Sequence, residues 1–303
     1  MALVSTGSLS KALMPGVNAW FGLSYNEYAQ QFKEIFDLHN TDQNFVEDVN
    51  VYGTGIASVK KESQNIAYTD FAVAGTVRYT PLVYGLGFIL SREAIEDNQY
   101  VSLAEKRSKM LARSLAQTKE IVAANVLNRA FNSSYTGVDA VELCSTAHVK
   151  ARGGTYQNEL TTSADLSEAS LEQALIDIAD LQDDASMRIA VMGRKLIVPS
   201  ALMFEAARIL KSTLQPDVVS NNLNAIKASG MLPDGFTVNN YLTDSDAWFI
   251  KTDCPDGLKL FQRRPVEIAN ESEFDSENMK FKATERYVFG WTDPRGVYGS
   301  PGA

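Results

Sequence analysis

The feature that most constrains this chain is one long helical pattern over residues 101–132. The pattern covers about 32 residues without a proline or a glycine. At about 1.5 Å per residue it predicts a helix roughly 48 Å long. The mean helix of a globular protein has only about 11 residues. A helix of this length is more than a compact domain needs, so the pattern indicates a chain that builds something larger than itself.

The composition limits the classes of function. The chain has 303 residues and a net charge of −9, which argues against free-standing nucleic-acid binding, because that normally needs a concentrated basic face. Cys144 and Cys254 are far apart in sequence and form no disulfide framework. The first 22 residues lack the pattern of a signal peptide, and no segment has the apolar length of a membrane span. We therefore expect a protein of the cytosol, unless it leaves as part of a larger particle, with no membrane partner.

Residues 48–80 have the pattern of a long β-hairpin. Two mixed apolar and polar segments flank a polar turn at 61–65. An isolated two-stranded ribbon is marginally stable in water, and no nearby segment of the sequence is an obvious cover for it. A second copy of the chain is therefore the economical candidate. The strand pattern that follows, at 82–90, is apolar on both faces, which predicts that it is covered on both sides.

The N-terminal part and the second half of the chain complete the predicted elements. Residues 1–22 are loosely patterned, and residues 24–40 predict one amphipathic helix, with Ser24 and Glu27 at the spacing of a capping box. Helices are predicted at 168–183 and 201–211, and a polar loop at 212–234. Strands are predicted at 188–199, 236–242, 247–252, 257–269 and 278–291. The last strand alternates apolar and polar residues and is about as long as the long helix, so we expect the two to pack together.

Two groups of residues are candidates for chemistry or charge recognition. Cys144 and His148 lie four residues apart in a glycine-rich region, where they form either a nucleophile pair or a cysteine beside a structural histidine. A metal site needs three or four converging ligands, and the other histidine of the chain is distant. We expect no catalytic residue, cofactor or metal ion. The long helix is locally basic, and the face represented by Lys106, Arg113 and Lys119 is either solvated or meets acidic neighbours or a packaged polyanion.

Four segments carry a resemblance to a known family. They are RYTPLVYGLGFILSREAIEDN (78–98), ARSLAQTKEIVAANVLNRAFN (112–132), CSTAHV with the glycine-rich stretch up to Asn158 (144–158), and GWTDPRGVYGS (290–300). In these segments the chain resembles the Hong Kong 97-type major capsid protein of tailed bacteriophages, and it is similar to the Mu-like major head subunit. The order of the predicted elements agrees with this resemblance.

The resemblance implies a Hong Kong 97-type capsid fold of the α+β class. Its peripheral domain would contain the long helix, called the spine helix, and the long strands. The implied parts are an N-terminal arm at 1–47, an extended loop hairpin at 48–80, a peripheral domain at 81–164 and 257–303, and an α/β axial domain at 165–256.

The resemblance also implies that the extended loop lies over a neighbouring subunit. Some relatives join a loop lysine covalently to an asparagine of another subunit with the help of a buried acid. Lys60 and Lys61 are suitably located, but no matching asparagine and glutamate can be identified, so we do not expect cross-linking. The residues expected at the contact between subunits are Lys60, Lys61, Gln64, Asn65, Tyr68, Phe71 and Arg78.

The predicted function is that of a major capsid protein of a tailed phage or prophage. It would assemble in the bacterial cytoplasm into hexamers and pentamers of an icosahedral shell around double-stranded DNA. The resemblance implies a portal protein and a separate scaffolding protein, since the sequence leaves no room for a cleaved N-terminal scaffold; whether a decoration protein binds stays open. An encapsulin-type compartment around a cargo enzyme is the nearest alternative, and a soluble hydrolase using Cys144 and His148 is an alternative of another class.

Overall fold

The structure is a computed structural model that describes residues 19–51, 57, 59–66, 68, 73–91, 93, 100–215, 222–273 and 277–303. Helices and strands are both well represented, as the predicted α+β class requires. The helices are α1 (residues 19–27), α2 (Phe32–Ile35), α3 (Tyr100–Asn128), α4 (Glu168–Ala179), α5 (Met203–Lys211) and α6 (Ala225–Ser229). Single 3-10 turns occupy Ser200–Leu202 and Pro294–Gly296. The strands are β1 (Asp37–Asn40), β2 (Val46–Val51), β3 (Val73–Tyr79), β4 (Leu82–Leu90), β5 (His148–Val149), β6 (Thr155–Tyr156), β7 (Gly193–Val198), β8 (Phe236–Val238), β9 (Trp248–Thr252), β10 (Leu258–Ser272), β11 (Met279–Trp291) and β12 (Val297–Ser300).

Helix α3 is the predicted spine helix. It has 29 residues and is therefore about 43 Å long. Leu111, Leu115 and Leu127 of this helix are buried. Met110, by contrast, is 69% exposed. Successive helical residues differ by about 100° in direction, so Met110 points away from the sheet when Leu111 faces it.

The spine helix packs on a four-stranded sheet with the strand order β1-β10-β11-β4. Strands β10 and β11 form a long antiparallel hairpin, and β11 pairs with β4 from Met279 opposite Leu90 to Tyr287 opposite Leu82. On β11, Phe281 and Ala283 are buried as the alternation predicts. Ala283 packs with Leu111 and Leu115 of the spine helix. The predicted packing of the last long strand along the long helix is thus confirmed.

A second four-stranded sheet has the order β12-β9-β7-β8. Helices α4, α5 and α6 cover one of its faces, where Leu171, Ile209 and Ile226 join a core around Trp248. Residues of its opposite face, including Ile197 and Phe249, join a core with residues of the spine helix and the first sheet. The second sheet therefore lies between its own helices and the spine helix. No helix in the described part of the chain has the length and hydrophobicity that crossing a membrane requires.

Helix α6 lies within the predicted polar loop at 212–234. The Asn224 side chain caps it by accepting a hydrogen bond from Lys227 N, and Gly230 ends it in the left-handed conformation with φ 65°. Five residues are too few to show a helical period in the sequence, and this explains the missed element.

The N-terminal segment differs from its prediction. Residues 24–40 do not form one helix, because α1 ends at residue 27, α2 begins at Phe32, and β1 pairs in parallel with β10, with Asp37 opposite Lys259. Ser24, the predicted cap, is buried inside α1. The edge of β10 offers the backbone of β1 a hydrogen-bonded partner, and this tertiary pairing overrides the helical periodicity.

Strand β4 also differs from its prediction. It was expected to be covered on both faces, but it lies at an edge of the first sheet. Leu82 and Val83 are each 58% exposed, and Leu86 and Ile89 are each 50% exposed. Within a single subunit, this apolar strand is therefore open on the side away from β11.

Strands β2 and β3 pair from Val46 opposite Tyr79 to Val51 opposite Val73. They form the base of the hairpin that the sequence predicts at 48–80. The backbone N–H of Gln64 donates to the carbonyl of Lys61 at 3.1 Å. This hydrogen bond closes a turn where the polar segment was predicted to reverse the chain. We call residues 46–79 the ribbon.

Candidate assembly surfaces

The ribbon is fixed to its own subunit at its base. Asp48 forms an ion pair with Lys259, and its carboxylate accepts a hydrogen bond from the Thr292 hydroxyl at 2.6 Å. The Tyr79 hydroxyl lies 2.7 Å from the same threonine oxygen and donates to it. Burial opposes ionisation of Asp48, but the hydrogen bonds from Lys259 and Thr292 hold its pKa below the usual value. The ribbon therefore leaves the body from a charge-paired, hydrogen-bonded base.

The described residues of the ribbon tip are open to solvent. Tyr68 is 94% exposed, Val59 is 90% exposed and Ile66 is 61% exposed. Large apolar side chains with this exposure normally mark a surface that another molecule covers. Phe71, one of the predicted contact residues, lies outside the described residues. Four other predicted contact residues are also exposed: Lys60, Lys61, Gln64 and Asn65.

Arg78, the remaining predicted contact residue, lies at the base of the ribbon. Its guanidinium carbon is 3.8 Å from the centre of the Phe45 ring, and its Nε is 3.9 Å from Glu47. Near it, Val138 occupies the space that a Cβ at Gly75 would need. The expectation that no intrachain segment covers the hairpin is thus wrong for the base, where an irregular loop packs against it.

The predicted basic face of the spine helix is divided. Lys106 and Arg113 are exposed. Lys119 does not belong to an exposed face, because its side chain is only 6% exposed and its Nζ lies 3.0 Å from Glu285 Oε2. Glu285 is 1% exposed and sits in the middle of the apolar face of β11. A buried carboxylate needs a counter-charge, and Lys119 supplies it.

The Lys119–Glu285 pair is enclosed by aromatic rings from three elements. The Tyr25 hydroxyl donates to Glu285 Oε1 at 2.6 Å. The Lys119 ammonium lies 5.3 Å from the centre of the Phe32 ring and 5.0 Å from that of Tyr287, both within cation–π range. Burial is the main reason why the pKa of Tyr25 is raised, and the adjacent Glu285 raises it further. Tyr25 therefore stays protonated and remains a hydrogen-bond donor to the pair.

Glu120, the residue after Lys119 on the spine helix, binds the N-terminal segment. Its Oε2 accepts a hydrogen bond from the backbone N–H of Phe32 at 3.1 Å. Burial raises the pKa of Glu120 to about 7, although the backbone hydrogen bonds and Lys119 act in the opposite direction. This carboxyl group is thus close to half-protonated at neutral pH.

The N-terminal segment also contacts the second sheet. Lys195 of β7 pairs with Glu34 at 3.2 Å, and Lys251 of β9 pairs with Asp37 at 3.0 Å. Together with the pairing of β1 and β10, these ion pairs tie residues 32–40 to both sheets. The segment therefore joins the two layers of the subunit from outside.

The geometry around His148 contradicts the nucleophile pair. His148 Nδ1 lies 2.6 Å from Asp139 Oδ2, and Nε2 lies 3.0 Å from Asn158 Oδ1. Both ring nitrogens therefore already have partners other than Cys144. The Cys144 side chain is fully buried, and burial raises the pKa of its thiol well above the usual value. A buried thiol with a raised pKa is a poor nucleophile, so His148 has the structural role that was the other alternative.

Asn158 connects segments that are far apart in sequence. Its Nδ2 donates to the carbonyls of Leu143, Pro294 and Val297 at 2.7, 2.9 and 3.0 Å. Its Oδ1 accepts a hydrogen bond from Ser145 N at 2.8 Å. Neither the residues around it nor the resemblance of segment 144–158 predicted this network.

Comparison with known proteins identifies the family. Residues 74–300 match the model of a family described as phage capsid protein. The chain belongs to the phage capsid protein family. No curated protein matches the sequence.

Solved structures of phage capsids and of a virus-like particle have a similar fold. The chain is similar to the virus-like particle from Pyrococcus furiosus, with a TM-score of 0.56, 12% identity, and coverage of 94% of this chain and 97% of that one. For the capsid of cyanophage P-SCSP1u the TM-score is 0.57 at 10% identity, with 89% and 87% covered. For a structure from Mycobacterium phage Che8 the values are 0.51 and 15%, with 89% and 90% covered. At these identities the likeness shows the fold, and the predicted capsid fold is confirmed.

Membership of the phage capsid protein family gives the exposed surfaces a context. A protein of this family is a structural subunit of a virion shell and associates with copies of itself. In this structural subunit, the described residues of the ribbon tip and strand β4 expose large apolar side chains.

Proposed function

We propose that this phage capsid protein is the major capsid protein of an icosahedral head and that it assembles as hexamers and pentamers around double-stranded DNA. The ribbon is the observation that carries the proposal. Its base is fixed by the Asp48–Lys259 ion pair, whereas Val59 and Tyr68 at the tip are about nine-tenths exposed. Large apolar side chains exposed on an extension with a fixed base are unfavourable for a free monomer. Covering them with a neighbouring subunit is favourable, because it removes their apolar surface from water.

In this proposal the ribbon tip lies on the neighbouring subunit. Arg78 contributes by holding the base through Phe45, whereas Phe71, the other expected contact residue, lies outside the described residues. The outer edge of β4 is a second surface for a neighbour, because its exposed apolar side chains gain from being covered. The tip residues proposed to make the contact are Lys60, Lys61, Gln64, Asn65 and Tyr68.

The proposed domains follow the two sheets. Strands β4, β10 and β11 of the first sheet and the spine helix form the peripheral domain at 81–164 and 257–303, whereas β1 belongs to the arm. The second sheet with its helices forms the axial domain at 165–256. Strand β12 joins the second sheet although its residues lie within 257–303. Residues 1–47 form the arm and residues 48–80 the extended loop. We propose that the axial domains surround the symmetry axes.

The further partners follow from the same proposal. A scaffolding protein and a portal protein are implied by the resemblance of the sequence. The exposed Lys106 and Arg113 of the spine helix would face acidic neighbours or the packaged DNA. The guanidinium carbon of Arg113 lies 5.7 Å from the centre of the Tyr28 ring. A single ring does not form a platform for successive stacked bases, so the expected contact is independent of DNA sequence.

The proposal is tested by removing the ribbon tip. In the main variant, Lys60–Tyr68 are deleted and the gap is closed with Gly-Ser. The described residues of this stretch are exposed, so the subunit should stay folded by circular dichroism. Closed particles should be absent in electron micrographs, because every ribbon contact of the shell is lost at once. A loss of about 1.4 kcal/mol at one contact already lowers the affinity of that contact tenfold.

Two matched variants keep the length of the ribbon. Val59→Ser, Ile66→Ser and Tyr68→Ser together should also stop assembly, whereas Glu62→Ser at the turn should not. Normal shells from the folded deletion variant would remove the ribbon tip from the assembly mechanism. An unfolded deletion variant would show that the tip belongs to the core of its own subunit.

An encapsulin-type compartment is the second candidate function. The likeness to the virus-like particle from Pyrococcus furiosus favours keeping it. The content of purified particles separates the two candidates. Nuclease-protected double-stranded DNA inside the particles supports the phage head, and a folded cargo enzyme in place of DNA supports the compartment.

A further inference from the structure

Helix α4 presents negative charge to solvent, and helices α5 and α6 present positive charge. The segment 165–184, which contains α4, has seven acidic residues and no lysine or arginine. Helices α5 and α6 carry Arg208, Lys211 and Lys227 against the single carboxylate Glu205. Arg208 already pairs with Glu205 at 2.7 Å. The exposed Lys211 and Lys227 therefore keep an excess positive charge on α5 and α6.

These helices lie over opposite edges of the sheet. Helix α4 is next to strand β12, because the Tyr298 hydroxyl donates to Asp177 at 2.6 Å. Helix α5 is next to strand β8, where the Lys211 ammonium is 5.6 Å from the centre of the Phe236 ring. Strands β12 and β8 are the two outer strands of the sheet. Three strand spacings separate them, which is about 14 Å.

Each helix also exposes one large apolar side chain within its charged stripe. Ile176 of α4 is 56% exposed and lies one turn after Glu172. Phe204 of α5 is 70% exposed, and Lys211 lies two turns after it on the same face. We call Glu172 and Ile176 the acidic edge, and Phe204, Lys211 and Lys227 the basic edge. Each edge has an apolar centre beside a charge that the other edge complements.

Neighbouring carboxylates of α4 contribute less to the acidic edge. Asp180 pairs with Arg188 at 2.9 Å. Glu168 accepts a hydrogen bond from Gln215. Glu172 is thus the acidic side chain of α4 best placed to meet a lysine from another molecule.

We propose that the acidic edge of one subunit docks on the basic edge of the next copy of the chain. This inference rests on the proposed function and assigns the contact that closes the rings. A contact between two different edges of identical subunits is heterologous, and repeated rotation then generates a closed ring. A second copy is the occupant that fits, because both the charge and the apolar residue that each edge needs are present on the same chain.

The test uses two charge-reversed subunits. The basic-edge variant is Lys211→Glu with Lys227→Glu, and the acidic-edge variant is Glu172→Lys with Gln173→Lys. Gln173 is an exposed neighbour of Glu172 on α4. Either variant by itself should fail to form rings or shells, because like charges meet at every contact and weaken each by about tenfold or more.

Mixing the two variants gives the sharper result. In an alternating ring every contact pairs opposite charges again, so a one-to-one mixture should form six-membered rings. Alternation cannot close with an odd number of subunits, and five-membered rings should therefore stay absent. Native mass spectrometry counts the subunits, and electron microscopy shows the rings.

A control variant, Lys33→Glu with Lys282→Glu, makes the same change in net charge as the basic-edge variant at exposed positions away from both edges, and it should form normal rings. Any of three results would overturn the inference. They are a loss of rings in this control, normal rings from either edge variant by itself, and a lack of six-membered rings from the mixture. If an edge variant fails to fold by circular dichroism, Ile176→Ser and Phe204→Ser decide instead. Each should weaken rings without rescue by mixing, and undiminished rings would overturn the inference.

A different result would contradict the proposed function itself. If the unaltered chain forms neither rings nor shells, the proposed function itself is wrong. If the unaltered chain assembles and the edge variants assemble equally well, only the assignment of the edges is wrong.

Discussion

Replacing Lys119 by methionine should strongly destabilise the subunit. Lys119 and Glu285 are 6% and 1% exposed, and their charged atoms are 3.0 Å apart. Removing one partner of a buried ion pair costs about 3–5 kcal/mol, because the other charge stays buried without compensation. The Tyr25 hydroxyl still donates to Glu285 in this variant. A hydrogen bond to a charged group contributes about 1.5–3 kcal/mol, so we expect a loss near the lower end, about 3 kcal/mol.

The measurement is the free energy of unfolding in urea. It is made on the ribbon-deleted subunit described above, so that assembly does not contribute to the stability. Lys106→Met, on an exposed position of the same helix, is the matched control and should change stability by about 0.5 kcal/mol or less. The double variant Lys119→Met with Glu285→Leu should recover most of the loss, since it replaces the pair with apolar groups.

Two results would refute this reasoning. A loss below about 1 kcal/mol for Lys119→Met would mean that the pair is well solvated, as surface ion pairs are. A double variant no more stable than the single one would mean that the lysine acts through its packing against the Phe32 and Tyr287 rings rather than through its charge.

Three further changes test other parts of the structure. Asn158→Ala removes the partners of three buried carbonyls and one backbone N–H and should cost about 3 kcal/mol or more, seen as a lower melting temperature. Gly290→Ala places a Cβ 2.7 Å from Cε1 of the Tyr79 ring and should cost about 1–3 kcal/mol and weaken assembly, because that ring anchors the ribbon. Glu120 has a folded-state pKa raised from 4.5 to about 7, so its contribution to stability is present below pH 4.5 and lost as pH rises through 7. Relative to Glu120→Gln, the unaltered subunit should therefore lose about 1 kcal/mol between pH 5 and 8 in urea unfolding, allowing for solvent screening; a pH-independent difference would contradict this.

Strict local patterns explain the parts of the fold that could be predicted. Strand β11 follows its alternation from Met279 to Phe289, and the spine helix follows its period to within four residues of the predicted end. The N-terminal segment could not be predicted in this way. Its apolar residues do have helical spacing over a few residues. However, β1 pairs with the edge of β10, which is more than 200 residues away in sequence, and a local pattern contains no information about such a partner.

The candidate surfaces could likewise be predicted only where a local pattern determines them. The open tip of the ribbon followed from the marginal stability of an isolated hairpin, which is a local argument. The cover of its base by Val138 did not follow, because an irregular loop has no period that places it. The burial of Lys119 could not be predicted, because its partner, Glu285, lies on a strand whose alternate residues form an apolar stripe.

The N-terminal segment that ties the two sheets has a consequence for synthesis of the chain. Tyr25 and its partner Glu285 are 260 residues apart. At a translation rate of about 5–20 residues per second, the N-terminal end waits roughly 15–50 s on the ribosome before its partner strand exists. During that time the two layers are not joined, and a nascent chain does not yet have the shape of a finished subunit. The subunit can therefore reach its finished shape only when translation is nearly over.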